Sequence, residues 1–300
     1  LFRSCGVGFD LSTIRPKGLA VHNAAGTSSG IVSFMERFSN TTREVSQNGR
    51  RGALMLTIDI AHPDIEDFIK VKQDLTKVTG ANISVRVSDE FMQAVHTGDT
   101  FTLRWPLDTT SPSLTKTINA KELWDRVITS AHNTAEPGII FWDKQHIYST
   151  SSVYPEFENA STNPCSEIAM QPNDSCRLMA LNLFSFIKQP FTSEARFNYD
   201  LFYEVVYEGQ RLMDDLVDLE LEHVTRIIEK IANDPEPGHI KHVEADTWNH
   251  LHSNGKRGRR TGLGFTALAD TLAGLGIKFD SDEALDMTRE IMRAKCQAEF

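Results

Sequence analysis

The residues best suited to chemistry lie at alternate positions in one short segment. Asn163, Cys165 and Glu167 bring together an amide, a thiol and a carboxylate. Because alternate side chains of an extended loop point the same way, these three could converge on one small substrate. A carboxylate beside a sulfur nucleophile or radical, with an amide to orient a hydroxyl, suits chemistry on a sugar or polyol. The alternative is an Asn-Pro turn followed by a buried cysteine and a helix-capping glutamate.

The other cysteines limit the cellular setting. Cys176 follows soon after Cys165 and precedes an apolar stretch, while Cys5 and Cys296 lie near the two ends. Four cysteines in 300 residues are too few for a secreted disulfide scaffold. We therefore expect a protein of the reducing cytoplasm. Cys5 and Cys296 are interpreted as structural, because free cysteine often behaves as a small buried hydrophobe.

Composition excludes several classes of partner. A content of 40% hydrophobic residues in 300 can form one large or two small domains. No apolar run approaches the ~20 residues that cross a bilayer, so we expect no membrane partner. A formal charge of −10 argues against a nucleic-acid surface. Phosphate groups would then have to be bound by local basic residues and backbone amides.

The elements that must position these residues alternate between strand and helix. Apolar runs predict buried strands at 54–60 and 138–142, and the alternation of apolar and polar residues predicts a half-buried strand at 83–87. Apolar residues at helical spacing predict helices at 31–45, 65–71, 120–134, 199–221, 266–275 and 282–300. This order predicts an α/β fold with parallel strand pairing. Composition predicts a mobile loop at 72–82, a linker at 233–238, and a surface excursion at 97–119 in which Leu103 and Trp105 are candidates for a strand.

The histidines and one basic segment are weaker candidates for a site. None of the ten histidines has metal-ligand spacing, so we predict no metal site. Four of them, His239, His242, His250 and His252, are interpreted as part of a solvated linker. Residues 256–260 are basic enough to meet phosphate, or they form a solvated loop before a turn at 262–264.

Four collinear blocks resemble the catalytic large chain of ribonucleotide reductases, and together they extend over nearly the whole chain. The blocks are Gly6-Val7-Gly8-Phe9-Asp10-Leu11-Ser12 running into Ile14-Arg15-Pro16-Lys17-Gly18; Arg50-Arg51-Gly52-Ala53-Leu54; Asn163-Pro164-Cys165-Ser166-Glu167-Ile168 with Ser175-Cys176-Arg177-Leu178 and Asn182-Leu183; and Arg259-Arg260-Thr261-Gly262-Leu263-Gly264. The resemblance implies part of a ten-stranded α/β barrel with a central finger loop that carries a radical cysteine. Residues 1–300 would be the catalytic barrel domain, incomplete at both ends.

The family's roles can be carried over to individual residues. The resemblance implies a transient thiyl radical on Cys165, a base at Glu167 that removes the 3′-hydroxyl proton, and an amide at Asn163 that orients the hydroxyls. Cys176 would be one thiol of the reducing pair, whose partner, like the phosphate site and the tail cysteines, would lie outside this chain. The backbone of Gly6 would approach the substrate. Arg177 departs from the family's habit.

The resemblance also implies regulation by nucleotides. Arg15 falls at a position that contacts a nucleotide effector, and an arginine fork suits phosphate geometry. Its alternative role is an ordinary surface ion pair. Residues 17–27 would form the effector-binding loop, the helix after it would join a dimer-forming bundle, and residues 72–82 would report effector identity to the active site.

The implied function is reduction of ribonucleotides to 2′-deoxyribonucleotides for DNA synthesis. Pro164 and its neighbouring motifs favour the adenosylcobalamin-dependent class; the alternative is the large subunit of an enzyme whose radical comes from a separate metal-containing subunit. A catalytically inactive nucleotide sensor would not need Asn163, Cys165, Glu167 and Cys176 together. The implied enzyme is a ribonucleoside-diphosphate reductase, although the residues leave a triphosphate substrate open. Its implied partners are deoxynucleotide or ATP effectors, a thioredoxin- or glutaredoxin-like reductant and a second copy of itself.

Overall fold

A computed structural model describes residues 6–45 and 52–300. The chain divides into two compact units, residues 1–172 and residues 173–300. The first unit contains the strands β1 (Gly6–Asp10), β2 (Ala53–Asp59), β3 (Asn82–Val87), β4 (Thr100–Trp105), β5 (Leu114–Asn119), β6 (Gly138–Phe141), β7 (Ser161–Thr162) and β8 (Ala169–Met170). Its helices are α1 (Ile31–Glu44), α2 (Ile65–Lys70), α3 (Asp89–Thr97), α4 (Ala120–Thr134) and α5 (Trp142–Tyr148).

The centre of the first unit is a parallel four-stranded sheet in the order β1-β2-β3-β6. The middle strands β2 and β3 are buried along almost their whole length. Continuous apolar strands of this kind are typical of parallel sheets covered on both faces. The predicted α/β fold with parallel pairing is therefore confirmed.

Two features of the first unit differ from the sequence prediction. Residues 97–119 are not a simple surface excursion: β4 and β5 pair as an antiparallel hairpin, and Phe101 and Leu103 of β4 are buried in the core. Thr27, Ser28 and Ser29 are the hydroxyl residues that the sequence offers as a cap for helix α1, but the Asp64 carboxylate accepts the Ile31 N–H at 3.2 Å instead. A tertiary contact replaces the local cap because Asp64 lies at the orphan N–H groups of this helix.

The second unit contains the strands β9 (Leu178–Asn182), β10 (Ile187–Lys188), β11 (Arg196–Phe197) and β12 (Gly262–Thr266) and the helices α6 (Tyr199–Asn233), α7 (Gly238–Gly258), α8 (Leu268–Gly274) and α9 (Asp282–Glu299). Strands β9 and β12 pair in parallel. Helix α6 packs against α7 and α9, and it buries a row of residues at helical spacing that includes Phe202, Val206, Met213 and Val217.

Three predictions for this unit were wrong. Helix α6 continues past Leu221 to Asn233, the histidine-rich segment forms helix α7 instead of a solvated linker, and residues 262–264 begin strand β12 instead of a turn. Helix α7 is polar on most of its surface, and only Gly255 within it is buried. A weak apolar stripe explains why periodicity alone did not identify this helix.

Candidate active site

The segment with Asn163, Cys165 and Glu167 forms the loop of an antiparallel hairpin between β7 and β8. The expected extended loop is wrong, because the chain turns here. The Ser166 N–H donates to the Asn163 carbonyl at 3.0 Å, and Ser166 has a positive φ of 65°. Asn163 also closes the base of the loop: its N–H donates to the Ile168 carbonyl at 3.2 Å, and its Oδ1 accepts the Ile168 N–H at 3.2 Å.

Two interpretations of this segment, a set of reactive side chains or a turn with a buried cysteine and a capping glutamate, predict different exposure of its side chains. Cys165 is exposed within its unit, so it is not a small buried hydrophobe. Glu167 is also exposed and is followed by a strand, so it caps no helix. Asn163 is half-buried and its Oδ1 is committed to the loop. Across the described residues its Nδ2 has no hydrogen bond, so this group is available to a hydroxyl.

Strand β1 provides the surface on which the β7–β8 hairpin packs. A Cβ added to Gly8 would overlap the Thr162 carbonyl oxygen, and one added to Gly6 would lie 2.5 Å from Cδ of Pro164. Only a strand without side chains at these two positions lets the hairpin approach so closely. Gly6 was predicted as a substrate contact; its observed contact is with the buried Pro164 ring.

Hydrogen bonds from β2 and β3 add to this packing. The Oγ1 of Thr57 lies 3.0 Å from the Oγ of Ser161 in β7. The Asn82 Nδ2 donates to the Pro164 carbonyl at 3.1 Å, directly beside Cys165. Asn82 is the last residue of segment 72–82 and the first residue of β3, so the end of that loop and the hairpin are linked by one hydrogen bond.

The segment around Cys176 lies in the second unit, just before β9, and is held by charged side chains. Arg177 is buried, its Nε lies 2.7 Å from Oε2 of Glu220 on α6, and its Nη1 donates to the Arg260 carbonyl at 3.1 Å. Arg260 in turn binds the buried Asp174 carboxylate at 2.7 Å. The arginine that departs from the family's habit thus fixes the chain next to Cys176.

The same ion pairs account for the predicted basic segment. Arg259 binds Asp214 at 2.7 Å and Asp218 at 2.8 Å, while Arg260 binds Asp174. Because both guanidinium groups are neutralised by carboxylates, they brace α6 and the approach to β9 in place of a phosphate site.

Cys5 and Cys296 were both interpreted as structural, and of these two the structure describes only Cys296. Cys296 lies on α9 and is exposed, so its interpretation as a buried hydrophobe is wrong. Cys5 lies outside the described residues, as do Arg50 and Arg51 of the second resemblance block.

Arg15 shapes the loop that follows it. Its Nη1 donates to the Ala20 carbonyl at 2.7 Å, and its guanidinium carbon lies 5.0 Å from the centre of the Trp105 ring. Within residues 6–45 and 52–300 Arg15 has no ion pair, so the alternative of a surface ion pair is wrong. The loop itself is closed by hydrogen bonds between Gly18 and Ser28 and between Ser28 and Leu19.

A buried histidine supports the same loop from below. The Nδ1 of His62 accepts the Asp64 N–H at 3.0 Å, which leaves Nε2 to donate to the Ile14 carbonyl at 2.9 Å. Burial lowers the pKa of His62, so the imidazole is neutral at pH 7 in this tautomer. Asp64 then accepts the Lys17 N–H at 3.0 Å.

A cavity of about 290 Å³ lies between this loop, the start of α1 and the loop at 72–82. Its charged lining residues are Lys17, Asp64, Asp67, Lys70, Asp74 and Lys77. The base of loop 72–82 is clamped: Lys72 Nζ lies 2.7 Å from the Glu136 carboxylate and donates to the Ala81 carbonyl at 2.5 Å. The cavity therefore lies between the loop to which the resemblance assigned effector binding, 17–27, and the loop to which it assigned reporting of effector identity, 72–82.

Sequence reasoning missed the polar residues inside the apolar strands of the first unit. Arg86 on β3 is buried, and so are Ser12, which follows β1, and Thr57 on β2. Polar side chains in segments predicted as buried strands are the sequence feature that could have identified them, because such groups need a partner when buried.

The described residues contain neither a cluster of metal ligands nor a helix that could span a membrane. No three His, Cys, Asp or Glu side chains there are grouped so that they could hold a metal ion. Nor is any described helix both long and apolar enough to cross a membrane.

Comparison with known proteins identifies the family of this chain. Residues 1–297 match a family model described as the barrel domain of ribonucleotide reductase. The vitamin B12-dependent ribonucleoside-diphosphate reductase of Thermoplasma acidophilum is 35% identical over 289 residues, which cover 96% of this chain and 33% of that protein. The protein of the same name from Mycobacterium tuberculosis (strain CDC 1551) is 32% identical over 295 residues, covering 98% of this chain and 38% of the relative.

A third relative is more distant. The vitamin B12-dependent ribonucleotide reductase of Streptomyces clavuligerus is 29% identical over 303 residues, covering 92% of this chain and 28% of the relative. The chain thus spans about a third of the length of the curated relatives it matches.

Proposed function

Because this chain belongs to the ribonucleotide reductase barrel-domain family, we propose that the protein containing it reduces ribonucleotides to 2′-deoxyribonucleotides in the cytoplasm. The observation that carries the proposal is the exposed Cys165 on the loop of a hairpin, between a carboxylate and an amide. The relatives' names support a ribonucleoside diphosphate as the substrate. In this proposal the chain is part of a ten-stranded α/β barrel, and the β7–β8 hairpin is its finger loop.

The first step belongs to Cys165. A thiyl radical on its sulfur takes the 3′-hydrogen of the ribose, which makes an S–H bond and leaves a carbon radical. Glu167 then removes the 3′-hydroxyl proton and passes it to the 2′-hydroxyl, which leaves as water. The Nδ2 of Asn163 donates to a ribose hydroxyl, because its Oδ1 is already held by the Ile168 N–H. The backbone of Gly6 borders the substrate next to Pro164.

The loss of water is followed by reduction with two electrons and two protons. We assign them to a dithiol, with Cys176 as one member, which becomes a disulfide. Cys165 then returns its hydrogen to the 3′-carbon, which completes the deoxynucleotide and restores the thiyl radical. A thioredoxin- or glutaredoxin-like protein restores the dithiol by thiol–disulfide exchange. The ion pairs of Arg177 and Arg260 hold the chain on both sides of Cys176 and so set where its sulfur lies.

Adenosylcobalamin, when bound, supplies the one-electron chemistry that generates the thiyl radical. The chain fits this source in one respect: the sulfur of Cys165 is exposed within its unit and can be reached from outside it. Three relatives named as vitamin B12-dependent favour this source over a separate metal-containing subunit.

Nucleotide effectors are proposed to bind at the cavity between loop 17–27 and loop 72–82. The lysines that line it, Lys17, Lys70 and Lys77, supply positive charge for phosphate, and they stand beside three carboxylates, Asp64, Asp67 and Asp74. Arg15 contributes by holding the first loop in shape through Ala20 and Trp105. The effectors bound there would be deoxynucleotides or ATP. A dimer of the protein, formed through helix α1 and its neighbours, would complete the site.

Replacement of the radical cysteine tests the proposed function. Cys165→Ser in the full-length protein should abolish deoxynucleotide formation, because an O–H bond is too strong to yield the corresponding radical. Thermal stability and effector binding should not change, since the side chain is exposed. The matched control is Cys296→Ser, an exposed cysteine on α9, which should retain full turnover. Appreciable product from the Cys165 variant would refute the assignment.

A further inference from the structure

The β7–β8 hairpin is tied to the parallel sheet by a charged side chain that none of the roles above uses. Arg86 lies on β3 between Val85 and Val87, and its exposed fraction is 8%. A buried guanidinium costs free energy unless its hydrogen bonds and its charge are satisfied. Its surroundings therefore indicate what it does.

Arg86 donates to the hairpin directly. Its Nη1 lies 3.1 Å from the carbonyl oxygen of Ala160, the residue before β7. The Ala160 N–H donates to the Met170 carbonyl at 2.8 Å, so Ala160 is part of the hairpin ladder. The second arm of the fork, Nη2, donates to Oγ of Ser12 at 3.0 Å, just beyond β1. One planar group thus spans the hairpin stem and the sheet.

The charge of Arg86 is balanced by the neighbouring strands. Carboxylate oxygens of Asp10 and Asp59 lie 3.5 Å and 3.7 Å from its two terminal nitrogens. Its guanidinium carbon lies 4.5 Å from the centre of the Trp142 ring at the start of α5. Burial raises the pKa of the Asp59 carboxyl, and the positive charge of Arg86 counteracts that shift. The orientation of the Arg86 guanidinium is therefore set by Asp10, Asp59 and the Trp142 ring together.

We propose that Arg86 is a positioning residue that fixes the stem of the β7–β8 hairpin against the carboxyl ends of β1 and β2, and thereby orients the loop that carries Cys165. It touches no reacting atom and acts through the Ala160 carbonyl. This role rests on the proposed function only for its effect on turnover, because the anchoring of the hairpin can be measured without any reaction. A radical step needs its sulfur in place to within about an ångström, and misplacement by that distance costs about 100-fold in rate.

The test replaces the guanidinium with an apolar chain of similar length. In Arg86→Met of the full-length protein, amide hydrogen exchange of residues 160–170 should accelerate at least about tenfold, because local opening of the hairpin becomes cheaper. The turnover number should fall by about 100-fold while the KM for the nucleotide stays within about twofold. Faster exchange confined to residues 160–170, measured where the variant is fully folded, is the readout that a general loss of stability would not produce.

A matched control separates local release from global destabilisation. Val127→Ala removes a fully buried side chain from α4, which lies on another part of the first unit. At a temperature chosen so that both variants are equally folded, Val127→Ala should leave exchange in residues 160–170 and the turnover number close to those of the wild type. Equal exchange in the two variants would overturn the proposal.

A second variant covers the case in which Arg86→Met does not fold. Arg86→Lys keeps the charge but cannot bond Ala160 and Ser12 with one rigid fork. We expect exchange and turnover between those of the wild type and Arg86→Met. Wild-type exchange and turnover in Arg86→Lys would refute a requirement for the fork. An inactive wild-type protein would refute the proposed function and leave the exchange result to decide on Arg86.

Discussion

The two cysteine segments are held by different forces. In the first unit, the loop with Cys165 is fixed by close packing on glycine and by hydrogen bonds to the main-chain carbonyls of Ala160 and Pro164. In the second unit, the chain beside Cys176 is fixed by side-chain ion pairs, of which Arg177 with Glu220 is the most central. The first segment should therefore be sensitive to added volume, and the second to lost charge.

The difference suits the two proposed tasks. A sulfur that abstracts hydrogen must be presented to substrate on an exposed loop, so its support has to come from the stem and from the strand beneath it. A sulfur that delivers electrons as one of a pair can lie at the start of a strand, where ion pairs hold the backbone from both sides. The surface at Cys165 is accordingly open, whereas Cys176 is half-buried.

Added volume beneath the hairpin should have the largest effect. In Gly8→Ala the new Cβ would overlap the Thr162 carbonyl oxygen, which belongs to the backbone and cannot move aside without shifting the hairpin. We expect turnover to fall by about 100-fold or more and the free energy of unfolding to fall by about 1–3 kcal/mol. Activity assays and thermal unfolding measure the two quantities.

The control for Gly8 is a glycine in the other parallel pair. A Cβ on Gly264 in β12 would meet the Met179 carbonyl oxygen at 3.8 Å, an ordinary contact distance. Gly264→Ala should therefore leave the free energy of unfolding nearly unchanged. If Gly8→Ala were as harmless as this control, close packing of the hairpin on β1 would not be what holds Cys165.

Lost charge near Cys176 should have an intermediate effect. In Glu220→Gln the buried guanidinium of Arg177 loses its charged partner, and the free energy of unfolding should fall by about 1–3 kcal/mol. Glu208→Gln on the same helix removes an exposed pair with Arg211 and should cost about 0.5 kcal/mol or less. Equal losses in the two variants would show that the Arg177 pair is no more than a surface contact.

Removal of one hydrogen bond to the hairpin should have the smallest effect. Asn82→Ala loses the donor to the Pro164 carbonyl and should cost about 0.5–1 kcal/mol, with faster amide exchange in residues 163–168. Asn233→Ala removes a comparable side-chain bond to a carbonyl on exposed α6 and should leave that exchange unchanged. Unchanged exchange in Asn82→Ala would mean that the end of loop 72–82 does not support the hairpin.

Much of the first unit was predictable because its pattern is local. The apolar run at 54–60 predicted β2, the alternation at 83–87 predicted β3, which is buried and not half-buried, and helical spacing predicted α1, α2 and α4. Prediction failed in the second unit where the local pattern is weak, because α7 has one buried residue and so no clear apolar stripe. Within 97–119 the strand at Leu103 and Trp105 was predicted, but not β5 or its pairing with β4.

The sequence by itself determined which chemical groups are available, since the types and order of Asn163, Cys165, Glu167 and Cys176 are covalent facts that predicted both a family and a chemistry. Only the tertiary structure decided how they are presented. The packing of the hairpin on Gly6 and Gly8 and the hydrogen bonds of Arg86 both depend on residues that are distant along the chain. Contacts of this kind leave no periodic trace in the sequence, because each involves single residues brought together by the folding of the sheet.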